Sequence, residues 1–571
     1  MEPFLNYSRP IPIIGSCEYA MYKHILVFLC GTFIFAGGAA AQVVPDQIDP
    51  ALVTRSLPSI AHDDMPAQPP RPASTTPPSP ARITLAATGI VANRIVVADA
   101  LATSATDYSA ATAAYLHRPL TQGDLSQLAG AVASIARARG LVFASASIAP
   151  QSLADNILRV TLDEGRIDAV RSIGRSNASA DRILSRLITH RAVTKAELER
   201  TILLVGDLPS VRIASTQYLR QDGFGILLVT LTSDRVMLYG QIDNRGTSEI
   251  GRLRATGLAD LRNNFVAGDE IGLVAATTPA HPEQFAFLSG HYAAPVGQTG
   301  GVASITGYYG RTHAGGDLAT LDLIGHSYGG AIDYSLPLRR SRRSSLWFDL
   351  ELRTLVSNQS VLGRRFRDDD ITVLTATLKS AGTIVGGGYH ANLAVSWGLP
   401  LPGMTHAGDA FASRPDGDAR FVTSSLVVDW THPISGPFSV ALASVAQVAS
   451  RPLLATAEIS LGGPAFGRAY DYSERTGDDG VLGSAELRAD LTHLRLPLPS
   501  RAQLYLFADG GVVTNLRNGY GGGRLASAGA GIRIGHSVFD GALEVAFPLN
   551  EDRFDTRNRA PRLSFQLSAH V

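Results

Sequence analysis

From residue 235 to 571 apolar and polar positions alternate with a period of two. Leu346, Phe348, Leu350 and Leu352 alternate with Trp347, Asp349, Glu351 and Arg353. Leu543, Val545 and Phe547 alternate with Ala542, Glu544 and Ala546. The last segment sets Leu563, Phe565, Leu567, Ala569 and Val571 against Ser564, Gln566, Ser568 and His570. Segments of about ten residues with one apolar and one polar face predict the strands of a lipid-facing β-barrel. The pattern gives sixteen of them: 235–244, 252–263, 268–277, 284–293, 301–310, 319–338, 346–357 and 371–379, then 388–399, 420–430, 438–449, 482–491, 502–510, 524–535, 540–548 and 563–571. An even count suits a closed antiparallel barrel. Parity then puts the joins after odd strands outside, among them 311–318, 358–370, 400–419 and 450–481, and the short join 431–437 inside.

Between 83 and 234 the period changes. Thr121 reads as the cap of a helix to about Arg139, with Leu125, Leu128, Val132 and Ile135 at helical spacing. Strands are predicted over 142–148 and 156–162. Helices at 179–189 and 194–205 and strands at 211–218 and 225–231 repeat that order. Two copies of a helix followed by paired strands predict two small α+β modules, 83–166 and 167–234.

Residues 42–82 hold ten of the 31 prolines and read as a semi-rigid linker. Within them 50–57 predicts a short helix capped by Asp49, a candidate plug. Further upstream, Lys23 and His24 precede an apolar run over 25–35 and then Ala39-Ala40-Ala41. That order predicts a signal peptide over 1–41, with Met21 as an alternative start. Both cysteines, Cys17 and Cys30, fall inside it. The expectation is export, and no later run of about 18 apolar residues offers a transmembrane helix.

Composition narrows the partners. The 571 residues carry 50 basic and 50 acidic side chains, which gives no electrostatic case for nucleic acid. Charged residues make up 18%, below the roughly 25% usual in soluble chains. That leaves uncharged surface for lipid.

Several strings invite chemistry. Gly325-His326-Ser327-Tyr328-Gly329 spells the G-x-S-x-G of a hydrolase elbow, but that motif needs a strand, a sharp turn and a helix. Here Ile332, Tyr334, Leu336 and Leu338 continue a strand pattern, so a glycine-softened strand bend is expected and no enzyme. Arg339-Arg340-Ser341-Arg342-Arg343 falls at the inner rim, where it is expected to snorkel toward lipid headgroups. Asp368-Asp369-Asp370 reads as a solvated loop. The 14 histidines show no metal spacing, and no cofactor is implied.

Several segments carry a resemblance. Pro150-Gln151 with Leu158-Arg159-Val160-Thr161-Leu162-Asp163-Glu164-Gly165 resembles the end of a first POTRA module. Asp207-Leu208-Pro209-Ser210-Val211 and Asp243-Asn244-Arg245-Gly246 resemble a second module and a barrel start. Leu461-Gly462-Gly463 through Arg468-Ala469-Tyr470, followed by Gly480 and Glu486, resembles an LGG…VRGY loop motif. Phe507-Ala508-Asp509-Gly510-Gly511 resembles the F-x-D-x-G of a late strand. Together they are similar to the two-partner secretion outer-membrane transporters (TpsB), the haemolysin secretion/activation (ShlB/FhaC/HecB) family. Ala469 stands where the family has glycine, and Val571 where such barrels commonly have an aromatic residue.

The resemblance implies a mainly β protein: two α+β POTRA modules in the periplasm before a sixteen-stranded antiparallel transmembrane barrel in a Gram-negative outer membrane. It implies a large secreted partner protein, contact with outer-membrane lipid and help from the barrel-assembly machinery. The 450–481 loop would fold into the barrel, where Arg468 would latch onto Asp509. Asp509 is expected on the luminal face with Gln503, Tyr505 and Phe507, while Leu504, Leu506 and Ala508 face lipid. Arg468 is expected to bind Asp509 in bidentate fashion, and Tyr470 to pack the loop tip on the wall. Rival readings are a barrel-assembly or insertion factor and a passive porin.

Overall fold

Alternating strands leave unpaired N–H and C=O groups along every sheet edge, and closing the sheet satisfies all of them. The computed structural model describes residues 47–57, 90–151, 154–209, 211–221, 223–492, 501–517 and 519–571. The predicted signal peptide and most of the proline-rich stretch lie outside the described residues. Among these residues sixteen antiparallel strands close into a barrel, from Val236–Asp243 to Arg562–His570, with the last pairing to the first. No described helix is long and apolar enough to cross a membrane. Along the thirteenth strand, Arg501–Thr514, Leu504 and Leu506 are 45% and 60% exposed on the outer face. Tyr505, Phe507 and Asp509 are buried on the inner face.

The eleventh strand, Phe438–Ala449, coincides with its predicted span. Two predicted joins shrink to two-residue turns: 431–437 to 436–437, since strand ten is Val422–Ser435, and 358–370 to 362–363. Residues 358–370 belong to strands seven and eight, Ser344–Val361 and Arg364–Ile384, which meet through 362–363 alone. The run Arg364-Arg365-Phe366-Arg367-Asp368-Asp369-Asp370 hid the strand because its charges break the alternation. Asp369 is also buried rather than solvated; its Oδ1 accepts the Ser413 N–H at 2.8 Å.

Ahead of the barrel, one three-stranded sheet holds Arg94–Ala98, Ser145–Ser147 and Ile157–Asp163, covered by helices Ala105–Ala113 and Gln122–Ala138. A second holds Ala169–Gly174, Val211–Gln221 and Phe224–Ser233, with helices Ala178–Leu184 and Lys195–Gly206. In both, the first strand runs parallel to the last and the middle strand antiparallel to it. The sequence pattern missed the first strand of each unit, whose partner is the last strand of the unit, far along the chain. Thr121 and Thr194 open the longer helices through capping boxes with Asp124 and Glu197. Leu125, Leu128 and Val132 pack on Leu158, Val160 and Leu162, each leucine contributing about 2 kcal/mol by burial.

The second unit docks on the short, even-numbered joins. Ser179 Oγ donates to the Ala267 carbonyl at 2.6 Å, and Arg200 donates to the carbonyls of Pro337 and Leu338 at 2.9 and 3.1 Å. Arg342 N–H donates to Glu199 at 2.6 Å. The 339–343 arginine string therefore does not simply snorkel: Arg340 is 3% exposed and holds the α+β unit.

An infolded loop and a helix inside the barrel

The segment between strands eleven and twelve runs over 450–478, and the wall resumes with strand Asp479–Asp490. Gly480 and Glu486 are therefore wall residues and not part of the loop. Inside the barrel the segment forms a small hairpin, Ile459–Leu461 with Arg475–Gly477. Gly480 lets it lie close, since a Cβ there would stand 3.0 Å from Ile459 Cγ2. Gly462 turns the chain at φ +112°, where a Cβ would stand 2.2 Å from the Asp471 carbonyl; Gly463 follows at φ +99°. Leu461 is fully buried beneath them. At the tip the left-handed backbone falls on Gly467, φ +79°, and not on Ala469, so alanine in that place is unstrained.

This turn delivers Arg468, 7% exposed, to the luminal wall. Its Nε lies 3.0 Å from Asp509 Oδ2 as an ion pair, and its Nη1 lies 2.8 Å from Glu486 Oε1 and 3.2 Å from Glu544 Oε2. The expected bidentate grip on Asp509 is thus replaced by a guanidinium spread over three carboxylates. Asp509 Oδ1 is taken instead by the Gly467 N–H at 2.9 Å, the Arg468 N–H at 3.3 Å and the Ser527 hydroxyl. The Phe507 ring lies 4.3 Å from the Arg468 guanidinium carbon, a cation–π contact. Glu486 also pairs with Arg533 and Arg488, and Glu544 with Arg245 at 2.7 Å. Arg468, Arg245, Arg533 and Arg488 thus face Asp509, Glu486 and Glu544, which makes so much buried charge tolerable.

The remaining motif residues shape this neighbourhood. Asp243 Oδ1 accepts the Arg245 N–H at 2.8 Å and Arg254 Nε at 3.0 Å. Asn244 extends the seam beyond strand one, donating to the Leu563 carbonyl and accepting the Phe565 N–H. Gly246 permits close packing, since a Cβ there would lie 2.0 Å from the Gly251 carbonyl. Gly510 and Gly511 would crowd the Leu525 carbonyl and Leu482 in the same way. Tyr470 is fully buried, with its hydroxyl 3.1 Å from Asn550 Oδ1 and the Glu551 carbonyl. Glu544 escaped the sequence reading because it lies on strand fifteen, Phe539–Pro548, and meets the loop only when strands twelve to fifteen line up along the wall.

A second segment fills the lumen. Pro50–Val53 is α-helical and Thr54–Ser56 continues as a 3-10 turn, with Asp49 capping the Ala51 N–H at 2.8 Å. Ser357 Oγ donates to Asp49, and Thr312 Oγ1 to the Ile48 carbonyl at 2.7 Å. Arg55 donates to the Glu458 carbonyl at 3.2 Å and to the Thr456 carbonyl, which ties this helix to the infolded loop.

The hydrolase-like string lies wholly in strand six, Ile324–Arg339, with no turn or helix after Ser327. Its Gly325 has a packing role: a Cβ would stand 2.9 Å from Pro50 Cδ, beneath the lumenal helix. Pairing across three strands brings His291 within 4.8 Å of Asp260 and Glu270, a cluster that sequence spacing could not show. Arg262 already sits there, 2.6 Å from Glu270 and 3.5 Å from Asp260.

A closed barrel with a charged loop folded into it, preceded by α+β units, defines an outer-membrane β-barrel of the POTRA-bearing class. Residues 225–534 match the haemolysin secretion/activation protein ShlB/FhaC/HecB, and residues 90–165 match the ShlB-type POTRA domain. The chain belongs to the haemolysin secretion/activation ShlB/FhaC/HecB family. It is 27% identical over 167 residues to the heme/hemopexin transporter protein HuxB of Haemophilus influenzae (strain 86-028NP), covering 28% of this chain and 29% of that protein. The match thus spans less than a third of that relative's length. The fold is similar to CdiB from Escherichia coli, with a TM-score of 0.67 and 18% identity, over 88% of this chain and 94% of that one. CdiB from Acinetobacter baumannii gives 0.60 and 15%, over 89% and 95%.

Proposed function

We propose that this chain is an outer-membrane transporter that receives a large secreted partner protein in the periplasm and passes it through its barrel to the cell surface. The observation that carries the reading is the lumen itself: it is filled by two segments of the chain, each held by polar contacts that can be exchanged. In this reading 1–41 is a signal peptide, 42–82 tethers the plug helix, and 83–166 and 167–234 are POTRA modules facing the periplasm. Residues 235–571 are the barrel, surrounded by outer-membrane lipid and inserted with the barrel-assembly machinery.

The partner's N-terminal region adds a strand to an exposed module edge. Displacement of the helix over 50–56 and of the 450–478 loop then opens the pore, with Arg468, Asp509, Glu486 and Glu544 as the latch. Folding of the partner outside supplies the drive, and no chemical step is assigned to the chain.

The test co-expresses the chain with a large exported protein from the neighbouring reading frame and assays that protein on the cell surface. Secretion lost with the chain and restored by it is the expected result. Steady conductance in a lipid bilayer without any partner would favour the passive porin instead. Defective assembly of unrelated barrels on deletion would favour the insertion factor.

A further inference from the structure

The join after the ninth strand, 399–421, covers the end of the barrel opposite the docked α+β unit. It is fixed to strand eight: Ser413 N–H donates to Asp369, and the Asp370 N–H donates to Thr405 Oγ1 at 2.9 Å. From this frame Arg414, 5% exposed, reaches the root of the infolded loop. Its Nη1 lies 2.7 Å from Asp478 Oδ2, 3.3 Å from Glu458 Oε1 and 3.1 Å from Asn515 Oδ1. Its Nη2 donates to the Leu516 carbonyl, and its Nε to Asp416 at 2.7 Å.

Asp478, fully buried, is where the loop rejoins the wall. Its Oδ1 accepts the Leu453 N–H at 2.7 Å and its Oδ2 the Leu516 N–H at 2.7 Å. One carboxylate therefore ties the two ends of the infolded segment together. Glu458 completes the link, since its carbonyl accepts Arg55 of the lumenal helix.

We propose that Arg414 is a second lock on the lumen, holding the root of the infolded loop and, through Glu458, the helix over 50–56, until the 399–421 join lifts. This rests on the reading that displacement of the loop opens the pore. Arg468 secures the tip of the loop and Arg414 its root, from separate parts of the chain. A guanidinium is needed at the root because five acceptors surround it in several directions, which a lysine ammonium cannot reach together. Without it Asp478 stays buried without the cation it pairs with, and the root is destabilised.

The exported protein, from which removal of 1–41 also removes Cys17 and Cys30, is placed in planar lipid bilayers as wild type, Arg414→Ala, Arg414→Lys and Arg468→Ala. Arg414→Ala is expected to raise the frequency of full openings by about tenfold or more, with Arg414→Lys between it and wild type. Ser413 Oγ lies 3.0 Å from the Ala455 N–H it accepts, so Ser413→Cys with Ala455→Cys supplies a tether at the same root. Oxidised in the Arg414→Ala background, the tether should silence the channel, and reductant should reopen it; general loosening of the barrel would not respond this way. An Arg414→Ala trace equal to wild type, beside an open Arg468→Ala, overturns the second lock and leaves the transport reading standing. Quiet traces from both variants overturn the loop-gating reading as well. Should Arg414→Ala fail to insert, the tether in the native background decides: openings suppressed on oxidation support the lock, and unchanged openings overturn it.

Discussion

Arg340 grips Asp207 through two parallel hydrogen bonds, Nη2 to Oδ1 at 2.6 Å and Nε to Oδ2 at 2.7 Å. The arginine stands on the join after strand six and the aspartate closes the helix Lys195–Gly206, so one fork joins barrel to α+β unit. Its guanidinium also lies 5.4 Å from the Trp347 ring centroid. Arg340→Ala should weaken this docking by about 2 kcal/mol, and Arg340→Lys should restore only part of it, since the planar fork is lost. Hydrogen exchange in detergent should show faster exchange at 178–206 with the barrel unchanged. Equal exchange in the variant would mean that the neighbouring contacts of Arg200 and Ser179 suffice.

The Arg468 node predicts an asymmetry among its carboxylates. Arg468→Ala leaves Asp509, Glu486 and Glu544 without their shared cation, a loss on the order of 3–5 kcal/mol for a buried pair, and should free the loop tip. Glu544→Gln should act more mildly, because Asp509 and Glu486 remain, yet it also removes the charge partner of Arg245. Protease access to the 450–478 loop in inserted protein reads both. A loop equally protected in Arg468→Ala and wild type would remove the node from the gating account.

What was legible in the sequence follows from which interactions are local. Leu504, Leu506, Tyr505 and Phe507 each report a face because the lipid-facing strand has period two, so strand number and sidedness could be read. That report fails at Arg364–Asp370, where strands seven and eight run on and the join over 399–421 packs against the strand, so neither face needs to be apolar. Helix Ala105–Ala113 was missed for a different reason: Ala-rich and weakly sided, it buries only Tyr108 and Thr112. The resemblance picked out Arg468 and Asp509, but Glu544 reaches the loop only through the order of neighbouring strands along the wall, and Arg414 only through a join that precedes it in the chain. Asp49 was the favourable case, since a cap followed by proline is a local signal and the helix forms where it was predicted.

The seat of the lumenal helix can be tested at a glycine. Gly325 faces Pro50 so closely that a Cβ would stand 2.9 Å from Pro50 Cδ and 3.3 Å from the Ile48 carbonyl. Gly325→Val should overpack this contact by about 1–3 kcal/mol and displace the helix without touching a charge. A nitroxide at Thr54 should gain mobility by electron paramagnetic resonance, while the 450–478 loop keeps its protease protection. An immobile label would mean that the polar contacts of Asp49, Arg55 and the Ile48 carbonyl hold the helix against the overpacking.

The infolded loop should also respond to pH through Glu474. Burial, with Asp471 beside it, pushes the Glu474 carboxyl up from 4.5 to about 7. The partners around it are the Asp471 N–H at 3.1 Å and the Phe554 N–H at 3.0 Å, with Arg475 next in the chain; Asp471 itself pairs with Arg562 at 2.5 Å. A carboxyl raised in the folded seat binds its proton more tightly there than in the released loop. Its contribution is therefore fully present below about 4.5 and is lost as pH rises through about 7. Channel openings should be more frequent at pH 8 than at pH 6, and Glu474→Gln, which keeps the neutral form, should flatten that dependence while preserving the quiet state at pH 8. A pH dependence that survives in Glu474→Gln would assign it to another group.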